Sequence, residues 1–245
     1  MKAIVLTYDR YRLFTEHMLK TYSVLWPDNP FTFVIPFQDN STINSHGQRI
    51  ELVNCKREIV PTVLCLLDTV GEEEWVYWCI DDKFLINIDK SAASSISHFV
   101  ENISDRRVTG FCFCRARFLL DPEHVAEVRN CPEHSPFSLV RRLNYNHIWL
   151  HQFIRASSLR SLFLRFPKRD FQAIEMDTFT RQGPDAWKVP DDEIMYVTKE
   201  NLMTFGESTV QGKMTRGCLD NMARLGVKTP DGFDIEEVDI RIGRM

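Results

Sequence analysis

Residues 1–90 alternate short apolar, β-branched runs with amphipathic stretches, a rhythm that few folds accommodate. Ala3–Thr7 reads as a strand buried on both faces, because nearly every position is apolar. Arg12–Leu25 follows as a helix, with Leu13, Phe14, His17, Met18, Thr21, Tyr22 and Leu25 on one face. Pro27 to Pro30 break the chain before a second strand, Phe31–Ile35. Arg49–Val53 reads as a third strand and Glu58–Val70 as a second helix, stopped by Gly71. Trp75–Ile80 is a fourth strand that runs directly into Asp81-Asp82. Strands and helices in this order predict an α/β fold, a mostly parallel sheet with right-handed crossovers and helices on both faces.

The second half is less regular. Ser91–Ile103 reads as a helix, Val108–Cys114 as a strand, and residues 121–146 as irregular. A strand or short turn near His147–Ile154 precedes a helix at Ser157–Phe166, and the tail beyond residue 180 holds one further helix, Thr215–Leu225. No repeat, low-complexity tract or linker divides the chain. The expected organisation is therefore one domain over 1–245, with 1–105 as a ligand-binding half and 106–245 as an elaborated second half.

Composition narrows the function. With 44% hydrophobic residues, 17 Phe and 5 Trp, the chain has ample material for a core, which excludes a disordered or fibrous protein. A net charge of −4 argues against a general nucleic-acid partner. No run approaches the roughly 18 apolar residues that span a bilayer. The seven cysteines are odd in number and several sit in apolar runs, so they read as reduced thiols of a cytoplasmic protein. Positive charge concentrates in residues 106–169, with twelve Lys/Arg against four Asp/Glu. Arg155, Arg160, Arg165, Lys168 and Arg169 surround Leu159, Leu162, Phe163 and Phe166, the pattern of a helix that touches the inner membrane surface peripherally. The same residues equally suit a helix packed on the core.

In an open parallel sheet, ligands bind beyond the carboxyl ends of the strands. The residues there are Thr7-Tyr8-Asp9-Arg10, Pro36-Phe37-Gln38-Asp39, Cys55-Lys56-Arg57-Glu58 and Asp81-Asp82-Lys83. Paired carboxylates after a buried strand call for a cation, and Mg²⁺ or Mn²⁺ shared with substrate phosphates would serve. A helix cap is the plainer account of the same pair. His147 and His151 lack a third ligand at suitable spacing, and Cys112-Phe-Cys114 lacks a second pair, so zinc is not expected.

The Thr-Tyr-Asp-Arg strand end, the later Trp-Val-Tyr-Trp-Cys-Ile-Asp-Asp-Lys-Phe segment and the βα order between them resemble a nucleotide-sugar-dependent glycosyltransferase of the GT-A type. His147–Arg155, the acidic stretch Asp170–Asp177 and Gly206–Arg216 with its Gly212-Lys213 resemble segments of sugar transferases of bacterial surface polysaccharides. The resemblance implies transfer of a sugar from a nucleotide-diphosphate donor to a saccharide or lipid-linked acceptor. Thr7, Tyr8, Arg10, Phe37, Arg57 and Asp81 are expected as donor contacts because they lie on loops after successive strands at the carboxyl edge; the resemblance adds Lys213 and a divalent metal on Asp82. It also implies a general base for an inverting transfer at Glu175, or failing it Asp170. Ile80 stands where the usual Asp-x-Asp metal motif has its first carboxylate. A sugar-phosphate nucleotidylyltransferase is the main rival, but residues 7–16 contain no glycine with which to wrap a triphosphate. A binding protein that keeps the fold without the chemistry is the other.

Overall fold

The structure is a computed structural model, and it describes residues 1–116, 119–122, 124–127, 135–145, 147–167, 175, 176, 178, 180, 187–238, 241 and 242. The helical and strand bounds of the first half follow the apolar patterning closely. Strands β1 (Lys2–Leu6), β2 (Thr32–Phe37), β3 (Arg49–Asn54) and β4 (Trp75–Ile80) alternate with helices α1 (Arg12–Leu25) and α2 (Ile59–Leu67). Then come β5 (Lys83–Ile88), α3 (Lys90–Glu101), β6 (Val108–Cys112), β7 (Val125–Glu127), β8 (Leu139–Arg142), β9 (Gln152–Arg155) and α4 (Ala156–Arg165). The tail carries β10 (Ile194–Thr198), β11 (Met203–Glu207), β12 (Thr209–Val210), β13 (Lys213–Thr215), helix α5 (Arg216–Leu225), β14 (Ile235–Glu236) and β15 (Arg241–Ile242).

Nine strands form one sheet in the order β3-β2-β1-β4-β9-β6-β10-β8-β7. The pairs β1–β2, β2–β3, β1–β4 and β6–β10 are parallel, and only β8 and β9 run against the other strands. The mostly parallel α/β sheet is thus present, with one feature that local patterning did not disclose. Strand β9 wedges antiparallel between β4 and β6, and a short segment after an irregular stretch gives no local sign of its partner. The tail also departs from the reading of it as one helix in irregular chain, since β10 and β11 both lie there.

Both faces of the sheet are covered, which explains the unbroken apolar runs. Ala3 and Val5 point into a core with Met18, Leu19 and Tyr22 of α1 and Ile96 of α3. Ile4 and Leu6 point the other way, toward Val63, Leu66 and Leu67 of α2 and Leu159, Leu162 and Phe163 of α4. That second layer corrects the membrane expectation. The apolar face of α4 is core, packed with Phe166 against Trp78 and Trp187, and not an open surface for lipid. Among the described residues no helix is long and apolar enough to cross a membrane.

A second, three-stranded sheet, β15-β11-β5, leaves the first at the end of β4. Its junction is the two-residue turn Asp81-Asp82, after which the chain reverses into β5 without a helix. A third small core joins Phe14, Phe84, Met214, Cys218, Met222 and Val227 beneath this junction, with Tyr11 and Phe233 packed on it.

Candidate functional site

The parallel pairing of β1 with β4 places Leu6 opposite Ile80, so the loops that follow emerge at the same edge of the sheet. Thr7 and Asp81 therefore meet. The Thr7 hydroxyl donates to Asp81 Oδ2 at 2.5 Å and shares a 2.8 Å hydrogen bond with the Thr15 hydroxyl of α1. The Asp81 backbone N–H donates to Leu6 O at 3.2 Å, continuing the ladder by one residue. Burial pushes the Asp81 carboxyl up to about 8; the Thr7 hydrogen bond opposes this and the neighbouring Asp82 charge reinforces it. Near neutral pH this acid is substantially uncharged.

Asp82 is different. Its side chain is 32% exposed, and its Oδ1 lies 3.0 Å from Lys83 Nζ. Lys83 opens β5 directly opposite Glu207 of β11, whose Oε2 is 3.3 Å from the same ammonium. Burial disfavours the charge on Lys83, but Asp82 and Glu207 outweigh it and raise its pKa. The Asp82 carbonyl accepts a 2.6 Å hydrogen bond from Ser208 N–H, and Ser208 O accepts from Thr215 N–H at 3.0 Å. The turn is thereby fixed to β11 and to the start of α5.

This arrangement bears on the divalent ion expected at Asp82. The partly exposed Asp82 carboxylate already faces a buried ammonium, burial favours the neutral form of the neighbouring Asp81 carboxyl, and Ile80 offers no side-chain oxygen. Among the described residues no group of three His, Cys, Asp or Glu side chains is disposed to hold a metal. The described donor set fits a divalent cation poorly, because the Lys83 ammonium, 3.0 Å from Asp82 Oδ1 and 3.3 Å from Glu207 Oε2, already balances the two carboxylates.

The loop after β1 is built from its own side chains. Asp9 accepts backbone N–H bonds from Asp39 (2.8 Å) and Asn40 (3.0 Å) and pairs with Arg12 Nη2 at 2.7 Å. Arg12 Nη2 also donates to the carbonyls of Pro36 and Asn40, so the β1 and β2 loops are held together. Asp9 N–H donates to Gln38 Oε1 and Tyr11 N–H to Tyr8 O, which leaves neither amide directed at a ligand. Asp9 was visible in the sequence only as one loop residue among several; its spanning role comes from a contact 30 residues away.

Of the other expected donor residues, Tyr8 and Arg57 come together, with the guanidinium 5.4 Å from the ring centroid. The Tyr8 ring lies 4.9 Å from that of Tyr11, which in turn packs on Phe233; Arg10 stands 5.4 Å over the same Phe233 ring. Both arginines are exposed. Thr7, Tyr8, Arg10, Arg57, Asp81 and Asp82 thus share one edge, with Tyr11 and Phe233 as ring neighbours that the sequence reading did not single out. Phe37 ends β2 at that edge, where its carbonyl accepts from Cys55 N–H at 3.0 Å. Lys213 is exposed and 3.8 Å from Glu236 Oε2. The glycine before it has a plain structural cause. Gln211 and Gly212 have φ of 52° and 79° and form the two-residue turn of the β12–β13 hairpin.

Glu175 is exposed beside Met176, which is buried in the layer formed by α2 and α4. Asp170, Asp177, Lys168 and Arg169 lie outside the described residues. His151 belongs to the core: Nδ1 is 2.9 Å from the Tyr22 hydroxyl, and Nε2 lies 3.1 Å from Ile80 N and 2.9 Å from Ile80 O. Its side chain takes the place of a strand neighbour at the end of β4. A Cys–His–Asn grouping also occurs, with Cys218 Sγ 3.6 Å from His17 Nδ1 and His17 Nε2 2.8 Å from Asn221. Burial pushes that thiol up to about 12 and the imidazole down to about 4, so both stay neutral and neither is activated.

No protein-family model matches the chain, and no curated protein matches it. Solved structures with a similar arrangement are known. One is the 2-C-methyl-D-erythritol 4-phosphate cytidylyltransferase IspD of Francisella tularensis, 13% identical, TM-score 0.41, covering 86% of this chain and 94% of that one. Another is residues 1–349 of TarS from S. aureus, 15% identical, TM-score 0.45, covering 83% and 59%. A third is the galactosyltransferase LgtC with donor and acceptor sugar analogues, 11% identical, TM-score 0.39, covering 78% and 68%. Both glycosyl and nucleotidyl transferases occur among them, so these likenesses do not choose between the two.

Proposed function

We propose that the chain is a GT-A-type glycosyltransferase that uses a nucleotide-diphosphate sugar and passes the sugar to a saccharide or lipid-linked acceptor, in surface glycan synthesis. The observation that carries this reading is the Thr7–Asp81 hydrogen bond. It joins the first and fourth strand ends at one edge, with Tyr8 and Arg57 on one side and the Asp81-Asp82 turn on the other.

In this reading the Tyr8 ring receives the nucleobase. Arg57 and Arg10, with Lys213 at the neighbouring hairpin, face the diphosphate and stabilise the charge that builds on it as it departs. Thr7 and buried Asp81 hold the two strand ends in place. The turn contributes through the fixed ammonium of Lys83 and its two carboxylates, and no step runs through a metal. Glu175 takes the proton of the acceptor hydroxyl in an inverting transfer.

Nucleotidyl transfer is the second reading. It needs free backbone amides to wrap a triphosphate, and the engagement of the Asp9 and Tyr11 amides within their own loop weighs against it. A thermal-shift screen of nucleoside diphosphates and triphosphates tests the choice, since a ligand bound only by the folded chain raises its melting temperature. Stabilisation by a diphosphate, with release of that diphosphate from its sugar conjugate, is the expected result. Stabilisation by triphosphates alone would move the assignment to nucleotidyl transfer, and no response to either class would leave a non-catalytic binding protein.

A further inference from the structure

Cys55 follows β3 and Cys65 lies in α2, ten residues on, and their sulfur atoms are 3.0 Å apart. Both are free thiols. The Cys55 thiol points at Cys65, and the Cys65 thiol in turn donates to Asn54 O at 3.6 Å. Cys55 is buried and Cys65 is partly exposed, so one sulfur of the pair is open to a reagent and the other is shielded. Between them runs the loop Lys56-Arg57-Glu58, tied to the helix by the Thr62 hydroxyl, which donates to Lys56 O at 2.5 Å. Arg57 of this loop is the residue that lies over Tyr8.

We propose that Cys55 and Cys65 form a thiol–disulfide couple that takes up oxidising equivalents from a low-molecular-weight disulfide and closes the β3–α2 loop. The Cys65 thiolate attacks one sulfur of the reagent RSSR, forming a mixed disulfide and expelling RS⁻, which takes the proton that Cys65 gave up. The Cys55 thiol then loses its proton to solvent and attacks the Cys65 sulfur, expelling the second RS⁻. The net change is two protein thiols oxidised to one disulfide and RSSR reduced to two RSH. Thiol–disulfide exchange requires access of the reagent to one sulfur and a second sulfur within reach of the mixed disulfide; Cys65 is the accessible one and Cys55, 3.0 Å away, is the resolving one. Burial and the adjacent Cys65 sulfur keep Cys55 protonated, so its step is the slower one and accelerates as pH rises. The other described cysteines lack this combination. Cys79, Cys112, Cys114 and Cys218 are all buried, and although Cys112 and Cys114 lie 3.5 Å apart, neither is accessible to a reagent.

The full chain is incubated with oxidised glutathione, alkylated, and mapped by peptide mass without reduction. The expected product is a Cys55–Cys65 crosslink lacking two hydrogens, reversed by dithiothreitol, with Cys79, Cys112 and Cys114 unmodified. Cys55→Ser should instead accumulate glutathione on Cys65, because the resolving thiol is gone, and Cys65→Ser should leave Cys55 unmodified. Wild-type chain that accumulates glutathione on Cys65 without the crosslink, or that remains unmodified at both positions, overturns the proposal. So does a Cys65→Ser chain that takes up glutathione at Cys55, since the order of attack rests on Cys55 being shielded.

Discussion

Thr7 Oγ and Asp81 Oδ2 lie 2.5 Å apart although the residues are 74 positions apart in the chain, and their hydrogen bond closes the seam between two parallel strands. The carboxyl it holds is buried and titrates near 8, against 3.8 for the group in water. Between those values the folded chain retains a proton that the unfolded chain has released. Stability contributed by this group is therefore full below about pH 4 and falls as pH rises toward 8, by at most about 1.4 kcal/mol per pH unit. Asp81→Asn keeps the shape and removes the titration. Denaturant unfolding across that window should show a shallower loss of stability with pH in the variant, and an identical slope in both proteins would sink the assignment.

Lys83 sets a second expectation, because its ammonium faces both Asp82 and Glu207. Chelating divalent ions should leave the wild-type melting temperature and any donor hydrolysis unchanged. Lys83→Ala strips the cation from two carboxylates and should cost about 1–3 kcal/mol. Mn²⁺ should then recover part of the loss, because the freed oxygens suit a hard cation. Thermal melts of both proteins with and without Mn²⁺ make the comparison. Wild-type turnover abolished by chelation and restored by Mn²⁺ would return the ion to Asp82.

The same residue shows what the sequence could disclose. The four leading strands and α1 are legible because each obeys a local rule: Ala3 to Leu6 are buried on alternating faces, and the α1 stripe lies on one side. That places Thr7, Tyr8, Arg57 and Asp82 at one edge from topology alone. Lys83 is not legible in this way. Its role depends on Glu207, more than a hundred residues away, coming opposite it in β11, and nothing near either position announces that pairing. The amphipathic pattern of α4 likewise tells which face is apolar but not what covers it. The structure puts that face into the core.

The β5–β11 junction gives a sharper packing test. A Cβ on Gly206 would collide with the ring of Phe84, a rigid group fixed in the third core. Gly206→Ala should therefore destabilise by about 1–3 kcal/mol through overpacking. Gly110→Ala is the internal comparison, since there the obstacle is the terminal methyl of Met195, which can rotate away. Chemical denaturation should rank the two variants with Gly206→Ala the less stable. The reverse order would show that β11 can shift where the sheet around β6 cannot.

Tyr8 separates ring contact from hydroxyl contact in donor binding. If its face receives the base, Tyr8→Phe should hold nucleoside-diphosphate affinity near wild type. Tyr8→Ala should weaken it by about 1–3 kcal/mol, the usual worth of an aromatic platform under a base. Arg57→Ala should weaken a diphosphate more than the corresponding nucleoside, because its charge answers phosphate. Calorimetric titration with nucleoside, monophosphate and diphosphate distinguishes these effects. Equal losses for all three with Arg57→Ala would reduce Arg57 to a support for the Tyr8 ring.

Catalysis supplies the remaining test. A general base must reach the proton it removes, directly or through one water. Glu175 is exposed, while its neighbour Met176 is anchored in the core with Phe166 and Trp187, so the backbone that carries the carboxylate is fixed on one side. Glu175→Gln preserves the side-chain volume and its hydrogen-bonding oxygen but cannot take a proton. Turnover should fall by about 10²–10⁴, the range typical for loss of a general base, while diphosphate affinity stays near wild type. The loss should shrink as pH rises, because hydroxide in solvent can substitute for the missing base. If Glu175→Gln keeps full turnover and Asp170→Asn loses it, the base is Asp170. If both keep it, the transfer proceeds with retention and needs no protein base at that position.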